Sequence, residues 1–210
     1  MPDVADDDSL VQRLPTVLGG VLATLAILVA GLWISGRAGL PSPQTVLSLA
    51  KPADPALSGP ILAVGDSVLQ GAKRCLKGTD VKVDAEENRT MADGAQVIEE
   101  QSKAGTLPPR VLIALGTNAP FGEKVLDRIM RAAGPQRAVY WATVELPDTY
   151  SYEEAVNQRL RAMPGRWPNA HVVDWNASVL PEGLYPDGIH LNPDGCQAYS
   201  TLVLQGVERG

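Results

Sequence analysis

The sequence predicts an α/β domain, a three-layer α/β/α sandwich with a parallel five-stranded sheet, preceded by one transmembrane helix. Two patterns indicate this organisation. Short apolar runs alternate with amphipathic stretches from residue 61 to residue 207, and residues 14–34 carry no charged side chain. Strands that alternate with helices favour a parallel sheet covered on both faces, because each crossover helix returns the chain to the same end of the sheet.

Three segments are expected before the domain of residues 61–210: a short acidic tail at 1–13, a transmembrane helix at 14–34 and a proline-rich tether at 35–60. The uncharged stretch is long enough to span a bilayer as a helix. A buried core helix and a cleaved signal peptide are the alternatives, but the start of the chain is acidic, whereas signal peptides begin with basic residues. We therefore expect an uncleaved anchor. The few basic residues near its ends weakly favour a cytoplasmic C-terminal side.

The composition excludes some functional classes. The formal net charge is −6, which argues against a nucleic-acid-binding protein, because phosphate contacts require a basic surface. The histidines and cysteines do not cluster in the spacings of metal sites, so we expect neither a metal nor another cofactor.

Within the domain, the hydrophobic patterns predict five strands and five main helices. The strands are expected at residues 61–64, 81–85, 111–115, 138–144 and 171–175, and the helices at 68–76, 91–104, 122–133, 152–162 and 192–207. Ligands of parallel α/β sheets bind beyond the carboxyl ends of the strands. Three polar segments fit this rule, "GDS" at 65–67, "GTN" at 116–118 and the later "DGIH" at 187–190.

These segments contain residues suited to acyl transfer. Ser67 lies where a strand becomes a helix, so it is either a helix cap or a nucleophile. Asp187 and His190 are three residues apart, a spacing that allows the acid to orient the imidazole as a general base. The only other histidine, His171, opens a predicted strand and is expected to be structural. Asn118 offers a side-chain amide as an oxyanion donor, or else serves an ordinary turn.

Together and in this order, "GDSV", "GTN" and "DGIH" resemble the first, third and fifth sequence blocks of the SGNH (GDSL-like) hydrolases. The resemblance extends from residue 61 to about residue 202. The segment "VVDWNASVLPEGLYPDGIHLNPDGCQAY" at 172–199 is similar to the extracytoplasmic SGNH domains that O-acetylate cell-surface glycans, such as those of peptidoglycan O-acetyltransferases. That family has a flavodoxin-like sandwich, in agreement with the predicted fold class.

The resemblance implies a role for each polar residue. Ser67 would be the nucleophile, His190 the base and Asp187 its orienting acid. The Ser67 backbone N–H and the Asn118 side chain would contribute to the oxyanion hole. Asn88 stands where the family has a glycine whose backbone N–H completes the hole.

The resemblance also implies a function. The expected activity is O-acetylation of a cell-surface glycan through an acetyl-Ser67 intermediate by an enzyme in the cell membrane, with its catalytic domain outside the cytoplasm. A separate multi-pass membrane acyltransferase would supply the acetyl groups. One alternative is an esterase or deacetylase that hydrolyses acyl-ester substrates with the same residues, and a less favoured one is a non-catalytic glycan-binding protein.

Four further residues are singled out. Trp175 either stacks on a sugar or packs in the core, and Glu145 is a candidate substrate contact at a position where the cell-wall enzymes are expected to carry a basic or neutral residue. Cys75 and Cys196 follow Ser67 and His190 on two helices that would begin side by side. Either they form a disulfide, which would agree with an extracytoplasmic domain, or they are buried free thiols.

Overall fold

The computed structural model describes residues 59–209, which form the predicted alternation of strands and helices. The strands are β1 (Ile61–Gly65), β2 (Val81–Ala85), β3 (Arg110–Ala114), β4 (Ala138–Ala142) and β5 (Ala170–Val173). The helices are α1 (Ser67–Ala72), α2 (Met91–Lys103), α3 (Glu123–Ala133), α4 (Glu153–Arg161), α5 (Met163–Arg166) and α6 (Pro193–Arg209), with one 3-10 turn at Pro181–Gly183.

The five strands form one sheet in the order β2-β1-β3-β4-β5. All neighbouring pairs are parallel, so the predicted parallel five-stranded sheet is confirmed. In the register of the sheet, Gly65 at the end of β1 lies beside Ala85 and Ala114, the last residues of β2 and β3. The loops that follow these three strands therefore leave the sheet at the same edge.

Both faces of the sheet are buried. Leu62 and Val64 belong to the core cluster formed with α2, α3 and α4, whereas Ile61 and Ala63 belong to the cluster formed with α1 and α6. Alternate side chains of a strand point to opposite faces, and a strand covered on both faces is apolar throughout. This is why β1 is a continuous apolar run, and it accounts for the three layers.

The first helix is shorter than its apolar pattern predicts. It ends at Ala72 instead of residue 76, and the chain continues in turns to residue 78. Leu76 is still 2% exposed, so its place in the apolar pattern reflects burial and not helical structure. Gly71 lies in the last turn of this helix, and glycine disfavours helix by about 1 kcal/mol relative to alanine.

A disulfide joins Cys75, in the turns after α1, to Cys196 on α6, with 6.0 Å between the two Cα atoms. It closes a loop with a sequence separation of 121 residues.

The predicted acidic tail, transmembrane helix and most of the tether fall outside the described residues. Among residues 59–209, no helix combines the length and the apolar character required to cross a bilayer.

Candidate active site

Ser67 is the first residue of α1, directly after the turn that ends β1. Asp66 caps this helix, and its Oδ1 accepts a hydrogen bond from the Val68 N–H at 3.0 Å. At Gly65 a Cβ atom would lie 2.5 Å from the Leu69 Cβ atom and 2.9 Å from the Ala114 carbonyl oxygen. The turn therefore requires glycine for close approach and favours an acid at the cap. Close packing thus explains the glycine of "GDS", and helix capping explains its acid.

The Asp66 carboxyl group also joins this turn to the loop after β3. It is 1% exposed, and its Oδ2 accepts a hydrogen bond from the Thr117 hydroxyl at 2.5 Å. Burial raises the pKa of Asp66, although the hydrogen bonds from Thr117 and from the Val68 N–H oppose that change. Asp66 thus braces the two loops that carry Ser67 and Asn118.

The His190 ring lies between Asp187 and Ser67. Its Nδ1 is 2.9 Å from the Asp187 Oδ2, and its Nε2 is 3.0 Å from the Ser67 Oγ. Nucleophile, base and acid are therefore in hydrogen-bond reach in the order required for proton transfer from a serine. Ser67 and His190 are separated by 123 residues in sequence, so the fold alone brings them together.

The loop before α6 holds Asp187 in place. Its Oδ1 accepts hydrogen bonds from the backbone N–H groups of Ile189 and His190, both at 2.9 Å. Burial by itself would raise the pKa of Asp187, but these two N–H groups and the His190 ring lower it below the usual value. The carboxylate is therefore ionised at neutral pH. Gly188 has a φ of 70°, a left-handed conformation that favours glycine.

Asn118 and Asn88 line the same cleft as Ser67 and His190. The Asn118 side-chain amide donates a hydrogen bond to the Arg89 carbonyl oxygen at 3.1 Å. Asn88 has a φ of 60° and is the only non-glycine residue with a positive φ in the described part of the chain. It is the third residue of a turn closed by the Arg89 N–H and the Glu86 carbonyl oxygen at 3.3 Å. That position of a type II turn takes glycine or asparagine.

A cleft of about 610 Å³ opens over these groups. It is lined by Ser67, Gln70, Gly71, Glu87, Asn88, Thr117, Asn118, Tyr150, Ile189 and His190. Such a volume is typical of small-molecule sites. Besides the His190 imidazole, the aromatic ring of this lining is that of Tyr150, which is 39% exposed. Its ring packs edge-on against Tyr152 with 5.8 Å between centroids, and the Tyr152 hydroxyl donates to the Thr117 carbonyl oxygen at 2.7 Å.

The structure corrects the expected role of Trp175 in sugar stacking. Trp175 is 2% exposed and packs edge-on against Tyr199 with 5.0 Å between ring centroids. No face of its ring is available to a sugar, so the core-packing alternative is right. The sequence did not single out Tyr150, although it lies in the loop after β4, at the same edge of the sheet as the other site loops.

Glu145 lies outside the cleft. It lines a neighbouring groove of about 620 Å³ together with the exposed Tyr185. Its Oε2 accepts a hydrogen bond from the Asn176 amide at 2.7 Å, and burial raises its pKa, while that hydrogen bond opposes the change. His171 does not line the cleft either, and its ring stacks on Tyr140 with 5.0 Å between centroids. Residues 59–209 contain no cluster of three or more potential metal ligands.

Comparison with curated proteins finds relatives among the O-acetyltransferases. The chain is 29% identical over 164 residues to YrhL of Bacillus subtilis (strain 168), to which a peptidoglycan O-acetyltransferase activity is ascribed; the match covers 76% of this chain and 25% of YrhL. It is 28% identical over 156 residues to the O-acetyltransferase OatA of Staphylococcus aureus, covering 72% of this chain and 25% of OatA. The chain thus spans about a quarter of the length of these relatives.

Solved structures share the fold. The C-terminal catalytic domain of peptidoglycan O-acetyltransferase A of Streptococcus pneumoniae, with a methylsulfonyl adduct, superposes with a TM-score of 0.65 at 21% identity, covering 72% of this chain and 94% of that domain. A GDSL-like lipase of Bacteroides thetaiotaomicron gives a TM-score of 0.60 at 16% identity, covering 78% of this chain and 93% of that chain. No family model matches the sequence.

The described residues share the fold of these two solved structures, and the sequence is similar to O-acetyltransferases, so the predicted resemblance to SGNH hydrolases is confirmed. The sequence relatives are described as O-acetyltransferases, and the structural neighbours include the C-terminal catalytic domain of a peptidoglycan O-acetyltransferase and a GDSL-like lipase.

Proposed function

We propose that this protein is a serine O-acetyltransferase that acetylates hydroxyl groups of a cell-wall glycan through an acetyl-Ser67 intermediate. The observation that carries the proposal is the continuous line from Asp187 through His190 to Ser67, with separations of 2.9 and 3.0 Å. The O-acetyltransferase relatives support the choice of acetyl group and of glycan.

In the first half of the reaction, Ser67 Oγ attacks the carbonyl carbon of the acetyl donor while His190 Nε2 takes its proton. The Asp187 carboxylate stabilises the imidazolium that forms and keeps the unprotonated Nε2 directed at Ser67. The tetrahedral intermediate then collapses, and the leaving oxygen receives the proton from His190. The products are acetyl-Ser67 and the deacetylated donor.

The negative oxygen of the tetrahedral intermediate needs hydrogen-bond donors fixed in advance. Three groups around Ser67 suit that role in this proposal. The Ser67 N–H has no carbonyl partner within its own helix, as expected at a first helical position. The Asn118 amide and the Asn88 N–H would complete the oxyanion hole from the loops after β3 and β2.

In the second half, a glycan hydroxyl gives its proton to His190 and attacks the acetyl carbon. His190 then returns the proton to Ser67 Oγ as the bond between Oγ and the acetyl carbon breaks, which releases free Ser67 and the O-acetylated sugar. The lining of the cleft suits a sugar acceptor. Tyr150 offers a partly exposed ring for the apolar face of a pyranose, and the exposed Gln70 and Glu87 offer polar groups to its hydroxyls. Tyr150 thus takes the acceptor-stacking role in place of the buried Trp175.

Hydrolysis of acyl esters is the second candidate function. The side chains of His190 and Asp187 are 46% and 48% exposed, so water can reach the acyl group of the intermediate. An esterase or deacetylase would use the same first half-reaction. The two functions differ only in whether water or a sugar hydroxyl accepts the acetyl group.

The test is to incubate the full-length chain in mild detergent with an activated aryl acetate, with and without cell-wall glycan fragments. We expect release of the aryl alcohol, an acetyl group on Ser67 by peptide mass mapping, and acetylated glycan. Ser67→Ala should abolish all three, whereas Ser102→Ala, a serine on α2, should not. Turnover with no acetylated glycan would establish the esterase, and full activity of Ser67→Ala would contradict both functions.

The disulfide between Cys75 and Cys196 supports an extracytoplasmic location in this proposal, because disulfides persist in oxidising compartments. The proposed anchor at residues 14–34 would hold the enzyme in the cell membrane. Acetyl groups would then reach Ser67 from a separate multi-pass membrane acyltransferase. Labelling of intact cells with a membrane-impermeant reagent that reacts with domain lysines tests the location, and cross-linking in the native membrane tests the partner.

A further inference from the structure

The side chain of Arg89 is buried beside the cleft but does not line it. The side chain is 8% exposed, and its guanidinium group lies against the ends of β1 and β2. Nη1 donates to the Asp84 carbonyl oxygen at 2.7 Å and to the Gly65 carbonyl oxygen at 3.3 Å. Nη2 donates to the Asp84 carboxylate at 2.9 Å and to Glu86 at 3.4 Å. One side chain therefore ties the turn of residues 86–89 to two strand ends.

The backbone of Arg89 is part of the same assembly. Its carbonyl oxygen accepts the hydrogen bond from the Asn118 amide, and its N–H closes the turn that contains Asn88. The backbone of Arg89 is thus linked to Asn118 by a hydrogen bond and to Asn88 as its neighbour in the turn. These are the two residues outside α1 that contribute to the proposed oxyanion hole. The Gly65 carbonyl oxygen that its side chain holds is two residues before Ser67.

The conformation of Asn88 and the positions of the exposed Asn88 and Asn118 need an external constraint. Asn88 has a positive φ, which costs free energy in a non-glycine residue and persists only when the surroundings impose it. Asn88 and Asn118 are both exposed, so their own burial does not fix them. The guanidinium group meets the need because its donors lie in one rigid plane and reach several acceptors at once.

We propose that Arg89 is a positioning residue, which holds the Asn88 N–H and the Asn118 amide as oxyanion donors beside Ser67. The inference rests on the proposed serine chemistry. Arg89 does not touch the substrate. It acts because donors held rigidly cost no reorganisation when charge develops on the carbonyl oxygen.

The role differs measurably from general stabilisation. A residue that only stabilises the fold lowers the folded fraction and leaves the turnover of each folded molecule unchanged. A positioning residue lowers kcat in fully folded protein. Its effect also becomes smaller once one of the donors that it positions has been removed, because the effects of residues that act as a unit are not additive.

The experiment measures kcat and KM of full-length protein with an activated aryl acetate for Arg89→Met, Asn118→Ala and the double variant. Circular dichroism and thermal unfolding establish the folded fraction. We expect Arg89→Met to lower kcat by about 10²-fold, the effect of a donor displaced by about 1 Å, with a much smaller change in KM. In the Asn118→Ala background, the same change should lower kcat by less than about 10-fold.

Arg89→Lys should not restore kcat, because a single ammonium group cannot reach acceptors on both strands. Arg128→Met is the matched control, since Arg128 makes a bidentate ion pair with Glu99 on the surface between α2 and α3. Its kcat should equal that of the wild type. Additive losses in the double variant, or an unchanged kcat in folded Arg89→Met, would overturn the inference. The proposed function would still stand in either case, provided that the wild type turns over the aryl acetate. Absence of turnover in the wild type would overturn both.

Discussion

Replacement of Asp187 by asparagine tests the geometry of the base directly. Asp187 uses its two oxygens for different purposes: Oδ1 accepts two backbone N–H groups, and Oδ2 faces the His190 Nδ1. The side-chain oxygen of an asparagine can still accept the two backbone hydrogen bonds, so the loop should stay folded. Its NH₂ group would then face Nδ1, which must accept a hydrogen bond instead of donating one.

This change moves the ring proton to Nε2, the atom that lies 3.0 Å from Ser67 Oγ. A protonated Nε2 cannot take the serine proton, so the reaction proceeds only through the disfavoured tautomer. The same change in other Ser-His-Asp triads lowers kcat by about 10⁴-fold. We expect about 10³–10⁴-fold for Asp187→Asn, which corresponds to a barrier higher by about 4–5.5 kcal/mol.

The assay is steady-state hydrolysis of an activated aryl acetate between about pH 5 and pH 9, with thermal unfolding measured on the same samples. Asp194→Asn is the matched control, because it removes one charge from an exposed acid in the first turn of α6. It should retain wild-type kcat. A kcat for folded Asp187→Asn within about threefold of the wild type would show that Asp187 does not orient the base.

Four further changes have defined outcomes. Asn118→Ala should lower kcat by about 10²–10³-fold in stopped-flow acylation, and unchanged acylation would refute its donor role. The melting temperature of Asp66→Asn should rise relative to that of the wild type as the pH increases above 3.8, because the raised pKa of Asp66 means that its ionisation destabilises the fold. A difference in melting temperature that stays constant with pH would contradict this. Cys75→Ser with Cys196→Ser should lower the free energy of unfolding by about 2–5 kcal/mol in urea titrations. Tyr150→Ala should lower the ratio of glycan transfer to hydrolysis by about 5–10-fold, because about 1 kcal/mol of apolar contact with the sugar is lost, and an unaltered product ratio would exclude acceptor stacking.

Much of the fold and of the candidate site could be predicted because their signals are local. A buried parallel strand is a short continuous apolar run, so β1 and β3 are recognisable without any knowledge of their partners. Asp187 and His190 are three residues apart and share one turn, so their pairing depends on a short segment of chain. The same holds for the cap formed by Asp66 on the helix that Ser67 begins.

Other features depend on contacts between distant segments. Trp175 and Tyr150 both follow strands at the active-site edge. Trp175 is buried because it packs against Tyr199 of α6, whereas Tyr150 stays exposed. The role inferred for Arg89 is likewise invisible in the sequence, where it is one of several charged residues in a polar turn. Its importance arises from the strand ends and the Asn118 amide that the fold brings around it.

The sequence by itself thus determined the strand and helix order, the serine at the strand-to-helix turn and the pairing of Asp187 with His190, because each is set by periodicity or by a few neighbouring residues. Only the tertiary structure decided which aromatic ring lines the cleft and what holds Asn88 at a φ of 60°. It also decided that His190 and Ser67, separated by 123 residues, meet at 3.0 Å. These outcomes depend on which surfaces the helices cover when they pack against the sheet, and that is a property of the whole chain.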